Sequence, residues 1–189
     1  MRVAVSGTHC CGKSTLIDEF LLAHPEYEHE PEPYVVLVEE YDAIFGAQPS
    51  TDDFCKQLEF MVTRLQDYRA GDRVIFERSP IDFIGYMLAL EDLGRERTAR
   101  KLVEQCLPIV RDALQRVDLI VFLPVGDDAS VDKSEDPALR ESVNERLVGI
   151  YREGDLDLLT SIRPIVLEAS GSTPQRLRTL ESAVADVRN

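Results

Sequence analysis

Ser6-Gly7-Thr8-His9-Cys10-Cys11-Gly12-Lys13-Ser14-Thr15 decides how this chain reads. From Gly7 onward it has the spacing G-x-x-x-x-G-K-S, that of a loop built to hold phosphate. The apolar run Val3-Ala4-Val5 before it predicts a strand, and Leu16-Ile17-Asp18-Glu19-Phe20-Leu21-Leu22 after it predicts a helix. Gly7 and Gly12 let the backbone curl so that successive N–H groups of residues 7–15 face phosphate oxygens, and the helix N-terminus adds its positive dipole end. Lys13 is expected to reach the β- and γ-phosphates, and the Ser14 hydroxyl to ligate Mg²⁺. The stretch therefore predicts a nucleoside triphosphate site.

The chain has 189 residues, 44% of them hydrophobic, which suits one well-buried core and predicts a single domain over residues 1–189. Its formal net charge of −14 argues against a general affinity for nucleic-acid backbone or for an anionic membrane surface. No apolar stretch approaches the roughly 18–20 residues of a membrane span, and the N-terminus enters a strand without a signal-peptide pattern, so a cytoplasmic location is expected. Cys10, Cys11, Cys55 and Cys106 form no C-x-x-C pair and have no nearby histidine ligand set, so reduced thiols are expected. Cys10 and Cys11 are reactive candidates if exposed.

Apolar runs and breakers then alternate along the chain. Residues 27–30 predict a weak strand, followed by the proline-punctuated Glu30-Pro31-Glu32-Pro33. Leu58, Met61, Val62 and Leu65 recur at helical spacing after Ser50-Thr51-Asp52-Asp53, a cluster suited to capping a helix. Residues 73–77 predict a buried strand, residues 81–93 a helix with Pro80 near its first turn, and residues 96–116 a further helix bent near Pro108. Residues 119–123 and 165–169 are the last predicted strands, before a helix from about Thr173. The alternation predicts an α/β, three-layer P-loop NTPase fold: a parallel sheet of about five strands, helices on both faces, and a lid segment. The lid is expected at about residues 124–152, where the charged run 127–137 leads into a helical stretch holding Arg140 and Arg146. Closing lids carry arginines to a transferring phosphoryl group, although the same charge pattern also suits a solvated loop.

Glu77-Arg78-Ser79 stands at the end of the Val74-Ile75-Phe76 strand. Ligands of open parallel sheets collect at the carboxyl ends of the strands, so Glu77 and Arg78 are expected near the phosphate loop. A carboxylate there can hold Mg²⁺ or its waters, and an arginine beside it can contact phosphate or substrate. A strand-terminal salt bridge is the alternative.

Taken in order, Ser6 to Thr15, Glu30-Pro31-Glu32-Pro33, Gln57 with Arg64 seven residues later, and Glu77-Arg78-Ser79 resemble the deoxyribonucleoside kinases. In Phe76-Glu77-Arg78-Ser79-Pro80-Ile81-Asp82-Phe83 and Glu168-Ala169-Ser170-Gly171-Ser172 the chain also looks like the AAA-type ATP-binding proteins related to the kinase domain of bifunctional nicotinamide riboside kinases. The resemblance implies ATP and Mg²⁺. It further implies a carboxylate base at Glu32, with Glu30 as the rival, and a Gln57 amide offered to a substrate base with Arg64 nearby. Glu77 would support Mg²⁺, Arg78, Arg140 and Arg146 would stabilise the transferring phosphoryl group, and the loop from Gly171 to Arg176 would pack on adenine. The family's stacking aromatic after Glu-Pro is represented by Tyr34 and Tyr41, and the chain has no tryptophan.

Other phosphate-loop classes fit less well. Asp82-Phe83-Ile84-Gly85 has the D-x-x-G spacing of a GTPase switch, but it falls inside a predicted helix and no N-K-x-D motif occurs. The expectation is transfer of the γ-phosphoryl group of ATP to a small nucleoside-like or nucleotide-like hydroxyl. The alternative is a regulatory ATPase that binds a protein partner and has no small-molecule acceptor. The amphipathic stretch 96–116 is the expected surface if the chain forms a homodimer.

Overall fold

Each predicted apolar run becomes a strand whose side chains alternate between two cores. The computed structural model describes residues 1–46, 48–125, 136–160 and 162–188. Strands β1 (Arg2–Ser6), β2 (Glu28–Glu30), β3 (Val74–Glu77), β4 (Leu119–Phe122) and β5 (Ile165–Glu168) form one sheet in the order β2-β3-β1-β4-β5. Every neighbouring pair is parallel, so all five strands end along one edge. The central strand β1 holds Val3 opposite Ile75 on one side and Leu119 on the other.

On one face, Val3, Val5, Ile75, Leu119 and Val121 pack with residues of α1 (Lys13–Ala23) and α7 (Thr173–Arg188). On the other, Ala4, Val74, Phe76, Ile120 and Phe122 pack against α3 (Thr51–Asp67), α4 (Pro80–Asp92), α5 (Ala99–Leu114) and α6 (Pro137–Val148). Helix α2 is Pro33–Tyr41. Side chains buried on both faces are what a parallel sheet covered by crossover helices requires, which is why the strand runs are apolar without alternation. Helix α4 is buried from Pro80 to Leu90, all the way round. Ser50 caps α3 in a capping box with Asp53, the use expected of that polar cluster.

The structure also differs from the sequence reading. Helix α2 was not expected: Pro31 and Pro33 read as breakers, but Pro33 sits in the first turn, where its missing N–H costs nothing. Helix α5 spans 99–114 rather than 96–116, and Pro108 lies inside it as expected. After α6 the chain widens into a π-helical turn, Gly149–Glu153, and then tightens into a short 3₁₀ turn, Asp155–Asp157. Most of the charged run expected to form the lid, residues 126–135, lies outside the described residues. Of the expected lid, the described part is residues 124–125 and 136–152, chiefly α6.

Candidate active site

The loop from Ser6 to Gly12 leaves the end of β1 and enters α1. Gly7 adopts φ 150°, and a Cβ there would lie 2.6 Å from Cys11 Sγ and 2.7 Å from the Leu123 carbonyl oxygen. Gly12 caps α1 in the left-handed region, at φ 92°. The loop's outward carbonyls are braced by arginines: Arg140 donates to His9 O (3.2 Å) and Cys10 O (3.3 Å), and Arg176 donates to Cys11 O (2.6 Å). Lys13 Nζ reaches back across the loop to Thr8 O at 2.8 Å. Thr8 and Cys11 are buried, whereas Cys10, Ser14 and Thr15 are exposed at the mouth.

Ser14 Oγ donates to Glu77 Oε1 at 2.7 Å. A hydroxyl and a carboxylate meeting beside a phosphate loop are the hard oxygen donors that Mg²⁺ takes, with room left for waters and phosphate oxygens. The donor set fits that ion, and Ser14 and Glu77 are the residues able to hold it.

Glu32, the residue before α2, faces Arg78. Its Oε1 accepts from Arg78 Nε (2.7 Å) and from the second terminal nitrogen (2.6 Å), while Arg78's other terminal nitrogen donates to Gly7 O at 2.9 Å. Burial alone raises the Glu32 carboxyl, but Arg78, then Lys13 and His9, outweigh it and hold it below its ordinary value. Burial likewise opposes the Arg78 charge, and Glu32, Tyr86 and Asp82 more than restore it.

Beside this pair opens a cavity of about 310 Å³. Tyr34, Phe45, Phe54, Phe83 and Tyr86 supply its apolar walls, and His9, Glu32, Asp53, Gln57, Arg78 and Asp136 its polar groups. Phe54 stacks on Tyr86 at 4.7 Å between ring centres, and Tyr34 lies 5.0 Å from Phe45. Gln57 Nε2 donates to its own helix at Asp53 O (3.3 Å).

Several residues expected at the site stand elsewhere. Glu30 ends β2 and is enclosed by Arg64 and Tyr68, both of which donate to it, so of the two acids it is Glu32 that borders the cavity. Arg64 stands seven residues from Gln57, which carries it roughly 10 Å along α3, and there it pairs with Glu30 and Asp67. Arg146 pairs with Asp92 on α4, not with the loop. The six residues separating it from Arg140 turn it roughly 240° around α6. Gly171 adopts φ 88° in the turn after β5, and the segment it opens ends at Arg176 against the phosphate loop.

Sequence reasoning passed over Asp82, Tyr86 and Arg176 as individual site residues. Asp82 had a signal: a carboxylate in a helix apolar all round must find donors inside the protein. Among the described residues no disulfide forms, and burial pushes the Cys55 thiol up to about 12.

A family model described as an AAA domain matches residues 2–176. No curated protein matches this chain. Among solved structures, deoxyadenosine kinase from M. mycoides with bound dATP is 17% identical with TM-score 0.66, covering 98% of this chain and 100% of that one. Thymidylate kinase from Candida albicans is 15% identical with TM-score 0.63, covering 99% and 92%. NadR in complex with NAD and AMP-PNP is 18% identical with TM-score 0.59, and the match covers 96% of this chain but 48% of that one. At such identities the likeness is one of fold.

Proposed function

The chain belongs to the AAA domain family, and from that premise we propose that it is an ATP-dependent phosphotransferase acting on the hydroxyl of a small nucleoside-like acceptor. The observation that carries the reading is the Glu32–Arg78 pair, standing between the phosphate loop and an aromatic-walled cavity. A regulatory ATPase needs no carboxylate facing an acceptor cavity.

In this reading Lys13 and the N–H groups of residues 7–15 hold the triphosphate, and the segment from Gly171 to Arg176 flanks the adenine. Ser14 and Glu77 would hold Mg²⁺, which would supply positive charge against the triphosphate. Glu32 accepts the proton of the acceptor hydroxyl as its oxygen bonds to the γ-phosphorus and the bond to the bridging oxygen of ADP breaks. Arg78 and Arg140 balance the charge that spreads over the phosphoryl oxygens. Catalysis is then mostly positioning, as expected for a loose phosphoryl transfer.

The active form of Glu32 is the carboxylate, and its neighbours lower its pKa from the ordinary 4.5. Transfer is therefore fully supported above that value and is lost only as pH falls through the lowered one. A pH–rate profile is expected to place the acid limb below pH 4.5. A limb at or above it contradicts the assignment of Glu32 as base.

The same reading favours one class of acceptor. Among the described residues lining the cavity the guanidinium is Arg78, one positive charge against the carboxylates of Glu32, Asp53 and Asp136. A phosphate dianion entering there meets like charge, so the acceptor is a nucleoside rather than a nucleoside monophosphate. Calorimetry with Mg·AMP-PNP present, titrating nucleosides, nicotinamide riboside and monophosphates, tests this. A nucleoside is expected to bind at least about tenfold more tightly than its monophosphate, a gap of about 1.4 kcal/mol. Preference for the monophosphate, or binding of neither, overturns the assignment.

A further inference from the structure

Arg78 holds a conformation that its own chemistry does not favour: φ 93°, in the left-handed region, for a residue with a long side chain. Its backbone N–H donates to Val5 O at 3.0 Å, and the strain is held by what surrounds the guanidinium. Two side chains one turn apart on α4 do so from different sides. Asp82 Oδ2 lies 3.8 Å from one terminal nitrogen, and the Tyr86 ring centre lies 5.0 Å from the guanidinium carbon.

The same two side chains fasten the phosphate loop. Asp82 Oδ1 accepts from Ser6 Oγ, and Oδ2 accepts from the Gly7 N–H at 3.2 Å. Ser6 in turn accepts from the Tyr151 hydroxyl at 2.9 Å. One turn on, the Tyr86 hydroxyl accepts from the His9 N–H at 2.9 Å. Asp82 is 0% exposed. Burial raises its carboxyl, with Arg78 and Ser6 opposing. Two hydrogen-bond donors and the more distant Arg78 guanidinium converge on its two oxygens, which suits the acceptor-only carboxylate form.

We propose that Asp82 and Tyr86 are positioning residues: by gripping Ser6, Gly7 and His9 on one side and Arg78 on the other, they set the phosphate loop in register with the Glu32–Arg78 pair. The inference rests on the phosphotransferase reading. Neither residue touches the reacting atoms: Asp82 acts through Arg78 and the loop, and Tyr86 does the same through its hydroxyl and ring while also walling the acceptor cavity. An asparagine at position 82 offers one acceptor oxygen where the carboxylate offers two, so one donor faces an amide N–H instead. A phenylalanine at position 86 keeps the ring beneath Arg78 and removes the acceptor for His9.

The test combines Asp82→Asn and Tyr86→Phe, each alone and each with Glu32→Gln, with Mg·ADP affinity by calorimetry and turnover with the nucleoside that the wild-type enzyme phosphorylates best. Each single substitution is expected to lower kcat by about tenfold or more while Mg·ADP affinity changes by less than about threefold. In the Glu32→Gln background the same substitutions are expected to change kcat by less than about twofold, because register matters only when the base is present. Equal losses in both backgrounds, equal losses of affinity and turnover, or no loss overturn the proposal. If Asp82→Asn does not fold, Tyr86→Phe decides by the same criteria. A wild-type protein that phosphorylates no nucleoside overturns the phosphotransferase reading itself, whereas an active wild type with additive substitutions overturns the positioning role alone.

Discussion

Glu32→Gln is expected to slow phosphoryl transfer by about 10²–10⁴-fold, the range contributed by a positioned general base, while Mg·ADP affinity stays within about threefold. The separation follows from the geometry: Glu32 borders the acceptor cavity and its contact with the loop runs through Arg78. Glutamine is the informative replacement because its carbonyl oxygen can still accept from Arg78. Alanine leaves a guanidinium with 5% of its side chain exposed facing Asp82 without its main partner, and breaking a buried pair costs about 3–5 kcal/mol. The stabilising part of this pair is present above the ordinary glutamate value and is lost as pH falls through the lowered one. Steady-state kinetics and ADP calorimetry on the same preparation check the prediction, and an equal loss of affinity and rate contradicts it.

Lys13→Ala is expected to lower turnover by about 10²–10³-fold, or about 2.7–4 kcal/mol of transition-state stabilisation. Unlike Glu32→Gln, it is expected also to raise the KM for ATP. Lys13 Nζ bonds to Thr8 O, a neutral acceptor, so the ammonium charge has no carboxylate partner in that bond and stands ready for phosphate. Arginine is not expected to rescue, since the side chain is 4% exposed in a tight loop and the planar fork is the wrong shape for that space. Unchanged turnover in Lys13→Ala removes the loop from the mechanism.

What was legible in the sequence was what is local in sequence. Gly7, Gly12, Lys13 and Ser14 lie within one strand–loop–helix turn, so their spacing announces that turn. The buried strands β1, β3 and β4 were legible as short apolar runs, because both faces of the sheet are covered. Helix α2 was not legible: of its residues only Pro33 is buried, so Tyr34-Val35-Val36-Leu37-Val38 carries no amphipathic period to read. Which of Glu30 and Glu32 borders the cavity lay beyond the sequence, because Arg64 from α3 and Tyr68 just after it claim Glu30. Arg146 was placed beside the phosphates by the charged lid segment and the family resemblance, although its spacing from Arg140 already turned it away around the helix.

Asp82 teaches the complementary lesson. Its D-x-x-G spacing invited a comparison with GTPase switches, whereas its meaning came from an apolar helix that leaves a carboxylate no water and so obliges it to bind Ser6, Gly7 and Arg78. A buried acid in the first turn after a strand-terminal Glu-Arg-Ser is a feature that can be sought from sequence.

The central claim is that a hydroxyl in the cavity beside Glu32 receives the γ-phosphoryl group of ATP. Its most direct test is mass spectrometry of the products formed from Mg·ATP by the wild-type protein and by Glu32→Gln, across a panel of nucleosides, nicotinamide riboside and nucleoside monophosphates. One class of phosphorylated nucleoside is expected in the wild-type reactions, falling by at least about a hundredfold in Glu32→Gln. Slow ATP hydrolysis that is independent of acceptor and the same in both proteins contradicts it.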